Sequence, residues 1–268
     1  MNDEMTIIKT NLNYRNIENK QRSILVTGDL PGCGKSTFSI LLAGVLASPE
    51  KKVILIDGDL RKPSLHQKLR LYPKKGLVDC LLSMEQDDFD LNDFIVHTKY
   101  DNVDFISFGQ VPQRPVDFFE SEQFNKLLRM LEEKYRYVIV DAPPVRNMAD
   151  PYMIGTKVDG IIFVVRYGVS RIDRFTRTLR DFEPLKNKIL GLVISQKKNR
   201  MASYYYNYYN RYGSYGYYGH YGYYYGSEKK SRHWYSKFLP HRHKSKHFSS
   251  GEKVQPDHNT DAEPADKN

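Results

Sequence analysis

The sequence predicts an α/β fold: a doubly wound, mostly parallel sheet with helices on both faces, followed by a tail that stands outside it. Three observations carry this expectation. Six short apolar runs rich in β-branched residues recur between residues 23 and 194. Longer stretches with helical spacing lie between them. From about Asn199 both patterns stop. Strands that are apolar on both faces belong to parallel sheets covered by helices on either side, and repeated switching between strand and helix periods marks βα units.

The elements follow in order. "SILVTG" (23–28) predicts the first strand and "KSTFSILLAGVLA" (35–47) the helix after it. "VILID" (53–57) and "VDFISF" (103–108) predict the next two strands. "SEQFNKLLRMLEEKY" (121–135) predicts a helix, and "YVIVDAPP" (137–144) and "GIIFVV" (160–165) two further strands. "RIDRFTRTLRDFEPL" (171–185) predicts a helix leading to a last strand, "ILGLVI" (189–194). Ligands of such sheets sit at the carboxyl ends of the strands, so the chemistry is to be sought there.

The first of those ends is "GDLPGCGKST", Gly28 to Thr37. It follows a strand and opens a helix, which is the context a phosphate loop requires and makes the sheet one of P-loop NTPase type. Glycines let backbone N–H groups turn toward phosphate oxygens, and the helix N-terminus adds partial positive charge. Pro31, Gly32, Cys33, Gly34, Lys35, Ser36 and Thr37 are therefore the predicted nucleotide-binding residues, with Lys35 on the β- and γ-phosphates, facing solvent, and the Ser36 hydroxyl on Mg²⁺. The spacing departs from the usual one: Asp29 stands where a glycine is expected. An acid beside phosphates fits only if its side chain is held elsewhere. Cys33, among inward amides at a helix start, is expected to have a lowered thiol pKa.

Two more strand ends carry acids. "VILIDGDLRKP" places Asp57 and Asp59 after one strand, with Arg61 next, and "YVIVDAPP" places Asp141 after another. A carboxylate at a buried strand end is costly unless it meets a cation or a donor. Three beside a phosphate loop predict a Mg²⁺ site.

The chain has 268 residues, a net charge of +9 and two cysteines, Cys33 and Cys80. That excludes a disulfide framework. The polar start, "MNDEMTIIKT", predicts no signal peptide, and no apolar run is long enough to span a membrane, so a cytoplasmic protein is expected. The tail is read as disordered. Tyr204 to Gly226 holds 13 of the 21 tyrosines in 23 residues and has no leucine, isoleucine or valine. A basic stretch, "HRHKSKH" (241–247), and a polar end follow it.

"PGCGKST", "LIDGDLRKP", "YVIVDAPP" and the tyrosine cluster together resemble the bacterial tyrosine kinases of capsule and exopolysaccharide synthesis, over about residues 1 to 226. The stretch "VPQRPVDFFES" (111–121) is similar to the family's proline-containing loop. The resemblance implies an ATP- and Mg²⁺-dependent protein-tyrosine kinase on residues 1–199. It implies Asp57 as metal ligand and base, Asp141 as metal-holding residue, Asp59 as a nearby assistant, and Lys35 and Ser36 in the roles given above. The phosphoacceptors would be Tyr204, Tyr205, Tyr206, Tyr208, Tyr209, Tyr212, Tyr215, Tyr217, Tyr218, Tyr221, Tyr223, Tyr224 and Tyr225, in a cluster spanning 200–227 ahead of a basic, then polar tail over 228–268. Transfer would run in trans, since a Gly-spaced tail can reach a neighbour's site. The implied partners are a membrane activator of polysaccharide co-polymerase type, acting through its cytoplasmic tail and recruiting the kinase to the inner face of the membrane, further copies of the chain, and a tyrosine phosphatase. No nucleic acid is expected. The family's E-x-x-R-x-x-R ring-forming motif is matched only by Asp3, Thr6 and Lys9, and Ser195 stands where the family often has asparagine. The rival reading is a ParA/MinD-type regulatory ATPase, which would carry a signature lysine where this chain has Leu30.

Overall fold

The computed structural model describes residues 3–15, 21–146 and 148–196; the tyrosine cluster and the tail after it lie outside these. A helix, α1 (Asp3–Arg15), precedes the sheet. Then come β1 (Ser23–Gly28), α2 (Lys35–Leu46), β2 (Val53–Asp57), α3 (Leu65–Leu69) and α4 (Leu77–Ser83). A short 3₁₀ turn leads to β3 (Val96–His97) and β4 (Val103–Ile106). The chain continues through α5 (Pro115–Glu120), α6 (Glu122–Lys134), β5 (Tyr137–Asp141), α7 (Asp150–Lys157), β6 (Gly160–Arg166), α8 (Ile172–Asp181), a second 3₁₀ turn and β7 (Ile189–Ser195).

The sheet has seven strands in the order β3-β4-β2-β5-β1-β6-β7. Every pairing is parallel except β3 with β4. All six predicted strands are present. The exception, two-residue β3, is too short to leave a periodic signal. Strand residues pack alternately to the two faces. Leu25, Ile54, Ile56, Val138, Val140 and Phe163 face one layer, with Phe119, Phe124 and Leu127 of α5 and α6. Ile24, Val26, Val53, Leu55, Ile139 and Val164 face the other, where α2 supplies Leu42, Val45 and Leu46. α1 rests on α2 through the buried side chains Met5 and Leu12. On its outer side Asp3 and Thr6 are exposed and Lys9 is partly exposed.

Three predicted ends shift by more than one residue. The strand begun at Tyr137 stops at Asp141, because Pro143 and Pro144 cannot extend a ladder. The strand begun at Val103 stops at Ile106; the carbonyls of Ser107 and Phe108 instead take the first amides of α4. The helix expected over 171–185 ends at Asp181, and Pro184 sits in the 3₁₀ turn that follows.

The end of β1 is packed without slack. A Cβ added to Gly28 would lie 2.3 Å from the Val164 carbonyl oxygen and 2.6 Å from Cys33 Sγ. Neither can move without displacing β6 or the loop. Gly28→Ala is expected to lower stability by about 2 kcal/mol, the usual scale of overpacking, read as a drop in the urea midpoint. An unchanged midpoint would mean that β1 and β6 are not this close.

Candidate active site

The loop between β1 and α2 is shaped by two glycines in the left-handed region, Gly32 (φ 73°) and Gly34 (φ 105°), a conformation that side chains oppose. Gly34 is the residue from which α2 starts, and its carbonyl accepts the Phe38 amide at 2.9 Å. The loop is also gripped from the far edge of the sheet. Ser195, the last residue of β7, donates its hydroxyl to the Cys33 carbonyl. Arg166, the last of β6, reaches the Gly32 carbonyl at 3.4 Å. The misfit at Asp29 is resolved here: its carboxylate accepts the Ser170 hydroxyl at 2.8 Å and is buried in that pairing.

Two expectations about the loop are corrected. Lys35 does not face solvent; its side chain is buried, and its stem lines the same confined space as Gly28. Cys33 is not activated. Burial pushes its thiol up and outweighs the opposing pull of Lys35 and of backbone hydrogen bonds.

Opposite the loop, β2 and β5 run in parallel register, with Asp57 beside Asp141. Neighbouring strands lie about 4.8 Å apart, so two carboxyls end side by side, and both are buried. Each has one oxygen satisfied. Asp57 Oδ2 accepts the Leu65 amide at 3.1 Å, at the start of α3. Asp141 Oδ1 accepts the Ser39 hydroxyl of α2 at 2.9 Å. The other oxygen of each has no partner. Among the described residues only three buried side-chain polar atoms are unpartnered: Asp57 Oδ1, Asp141 Oδ2 and His66 Nδ1. His66 Nδ1 is 3.8 Å from Asp57 Oδ2, so all three belong to one place. Buried orphans are rare in native proteins, and three together mark a site built for something that completes it.

The electrostatics agree. Burial first, then the charge of Asp141, raises the Asp57 carboxyl well above the ordinary range. Asp141 is pushed up to about 6, by burial above all, against the pull of Ser36, Lys35 and Ser39. Burial lowers His66. Ser36 lies within the same network, since the Ser64 hydroxyl donates to its Oγ at 3.0 Å. Two carboxylate oxygens and a serine hydroxyl beside a phosphate loop fit Mg²⁺, which takes few protein ligands and keeps its remaining positions for water and phosphate.

Asp59 does not join them as the expected third acid. Its Oδ1 accepts the Lys62 amide at 2.9 Å in the turn after β2. It stays near enough to push both carboxyls upward by its charge. No group of three or more acids, histidines or cysteines at metal-holding distance occurs among the described residues. Arg61 reaches the other way, to Asp150 of α7, with Nε at 2.7 Å and Nη2 at 3.3 Å. His66, Ser39, Ser64 and Asp150 escaped the sequence reading. Each takes part through contacts made by packing of its element, Ser39 with Asp141, Ser64 with Ser36, His66 near Asp57 and Asp150 with Arg61, which no motif in the sequence records.

The fold and loop together define a P-loop ATPase, and a family described as "AAA domain" matches residues 21–191. The chain is 31% identical over 206 residues to tyrosine-protein kinase YwqD of Bacillus subtilis, covering 76% of this chain and 84% of that protein. It is 30% identical to tyrosine-protein kinase etk of Escherichia coli K12 over 198 residues, 74% of this chain but 27% of that longer protein. Among solved structures it resembles the chimerical protein CapA2B2, with a TM-score of 0.67, 28% identity, and 73% of this chain and 85% of that one covered. The chain belongs to the bacterial tyrosine-protein kinases.

Raised acid pKa values predict how the unliganded protein responds to pH. Asp141 titrates at about 6 in the fold against an ordinary 3.8. The folded state then holds more protons between those values, so stability from this group is present below about pH 4 and lost as pH rises through about 6. Asp141→Asn removes that loss. Without nucleotide or metal, the variant should melt a few degrees above wild type at pH 7.5, and the gap should close near pH 4. A pH-independent gap in calorimetry would contradict the buried-charge account.

Proposed function

We propose that the chain is an ATP-dependent protein-tyrosine kinase whose substrates include its own tyrosines, Tyr204 to Tyr225, presented in trans by a neighbouring copy, and that it regulates the making of a capsular or extracellular polysaccharide. The observation that supports this above all is the trio of unpartnered buried atoms on Asp57, Asp141 and His66, set against the glycine loop. A structural ion cluster would satisfy its own oxygens. This one leaves them free where a nucleotide's terminal phosphates would lie.

In this reading the loop amides and Lys35 hold the phosphates. Ser36, Asp57 and Asp141 would hold Mg²⁺, which supplies neutralisation of charge on the transferring group and orientation of its oxygens. The chain's own residues then do little covalent work. Asp57 accepts the proton of the attacking phenol. A phenol titrates near pH 10, so its activation at neutral pH needs a positioned carboxylate together with a cation that would favour the phenolate. Asp59 adds negative potential that favours that proton transfer. The rival reading as a regulatory ATPase is disfavoured by Leu30 at the signature-lysine position and by the family membership.

No helix among the described residues is long and apolar enough to cross a membrane. Recruitment would therefore fall to a membrane activator whose cytoplasmic end docks on the kinase, and a phosphatase would reset the tail. Each phosphate adds about −1.5 to −2 charges, so a few would reverse the sign of a tail carrying 10 Lys/Arg and 6 Asp/Glu over residues 201–268.

Lys35→Met keeps an apolar stem in the buried position and removes the charge. It should abolish phosphotyrosine and leave the urea midpoint near wild type; wild-type phosphorylation would remove Lys35 from the mechanism. For direction of transfer, an active chain with every cluster tyrosine changed to phenylalanine is mixed with the Lys35→Met chain, which can only receive. Label should appear on the Lys35→Met tail, with a rate that rises with the concentration of the active chain. An unlabelled recipient would exclude transfer in trans.

A further inference from the structure

The last strand of the sheet is only half covered. In register, Leu192 of β7 stands beside Phe163 of β6, and Ile194 beside Val165. Phe163 and Val165 are buried, yet Leu192 is 49% and Ile194 63% exposed. The cause is the placement of α8. Its Phe175 packs on Phe163 with ring centroids 5.6 Å apart, and Phe182 behind it does so at 5.2 Å. The helix thus sits over β6 and leaves the next strand open. The open strip continues into the turn before α8 and its first residues, where Tyr167, Val169 and Ile172 are exposed, Ile172 at 86%. A buried-type strand with one face bare is unusual in a sheet otherwise covered on both sides, and bare apolar strips of this kind mark contacts.

The chain itself points to the occupant. β7 ends at Ser195, beside the strip, and 73 residues follow in the sequence. The first tyrosine of the cluster, Tyr204, is nine residues on, a reach of up to about 30 Å. That is more than enough to fold back over one strand. Between Tyr204 and Gly226 the only side chains able to be cationic are Arg211 and His220, with no acid. This is the least charged part of the tail. Tyrosine rings offer an apolar body and a wet tip, and the exposed Arg174 and Arg177 of α8 offer cations to ring faces. A second copy of the strip fits less well, because a two-fold contact would bring these arginines against their own equivalents.

We propose that residues 204–225 of this chain pack in cis over the open face of β7 and the start of α8. The docked segment is held at its root by the strand it covers, so its local concentration is high whatever the protein concentration. If phosphoryl transfer runs in trans, as proposed above, this contact withholds the phenols from neighbours until it opens. The docking itself does not depend on that reading.

The test uses the full chain without nucleotide. Ile194 is replaced by the photo-cross-linker p-benzoylphenylalanine, and products are mapped by mass spectrometry. Cross-links from position 194 to peptides within 204–225 of the same molecule are expected, in the monomer band. Cross-links to a second molecule, to another part of the chain, or none at all would overturn the proposal. In parallel, Leu192→Ser with Ile194→Ser should raise the iodination rate of the cluster tyrosines about fivefold, the ratio that roughly 1 kcal/mol gives, and an unchanged rate would likewise overturn it. A chain that cross-links as expected but makes no phosphotyrosine with ATP and Mg²⁺ would defeat the kinase assignment and leave the docking intact.

Discussion

Two buried carboxyls held side by side, Asp57 and Asp141, are the constraint around which the structure is arranged. The parallel register of β2 and β5 puts them at one level. Like charges this close in a dry site cannot both ionise cheaply. Their neighbours do not cancel the conflict. Leu65 and Ser39 each satisfy one oxygen, and the others are left open. The fold thus holds unfavourable electrostatics at the carboxyl ends of two central strands. A divalent cation carried by phosphates would remove that conflict and so would link nucleotide binding to the stability of the domain.

Holding such a site open requires a loop that cannot relax onto it. The glycine loop is fixed at both ends of its reach: α2 begins at Lys35, and the β6–β7 edge clamps the loop carbonyls through Arg166 and Ser195. Asp29, which has no place beside phosphates, serves the same end. Its bond to Ser170, which also accepts the Arg166 amide at 2.9 Å, ties the loop's first turn to the β6–α8 turn. On the other side Arg61 ties the turn that carries Asp59 to α7 through the buried Asp150. The acids and the loop are therefore approached from two directions by polar contacts that do not themselves touch the reacting position.

Strand positions and the phosphate loop were legible in the sequence because they rest on short-range rules: β-branched runs for Val53–Asp57 or Gly160–Val165, and glycine spacing for Gly32 and Gly34. Asp57 and Asp141 were legible because a charge at the end of an apolar run needs a reason. What could not be read depends on which element packs over which. The burial of Lys35 follows from the closeness of β1 to β6 at Gly28, and it reverses the expectation of a solvent-facing side chain. The raised Cys33 thiol has the same origin: a helix N-terminus lowers a thiol only where water or charge can stabilise the anion, and here burial dominates. Asp59, expected as an assistant near Asp57, lies two residues past the strand end and accepts the Lys62 amide while its charge still raises both carboxyls.

The same edge of the sheet that clamps the loop is the root of the tail. Ser195 closes β7 and holds the Cys33 carbonyl, and the chain toward the tyrosines leaves one residue later. Its position is thus shared between two tasks, fixing the phosphate loop and starting the tail. Gly34 lies directly across from it, with Ser195 Oγ 3.4 Å from where a Cβ would stand, so the loop has little room to follow if β7 shifts. Whatever orders the chain after Ser195 also restrains the last residue of β7, and through its hydroxyl the backbone that would cradle phosphates. In the docking proposed above, the covering segment would start beside the residue that clamps the loop, which would give the state of the tail a mechanical path to the nucleotide site.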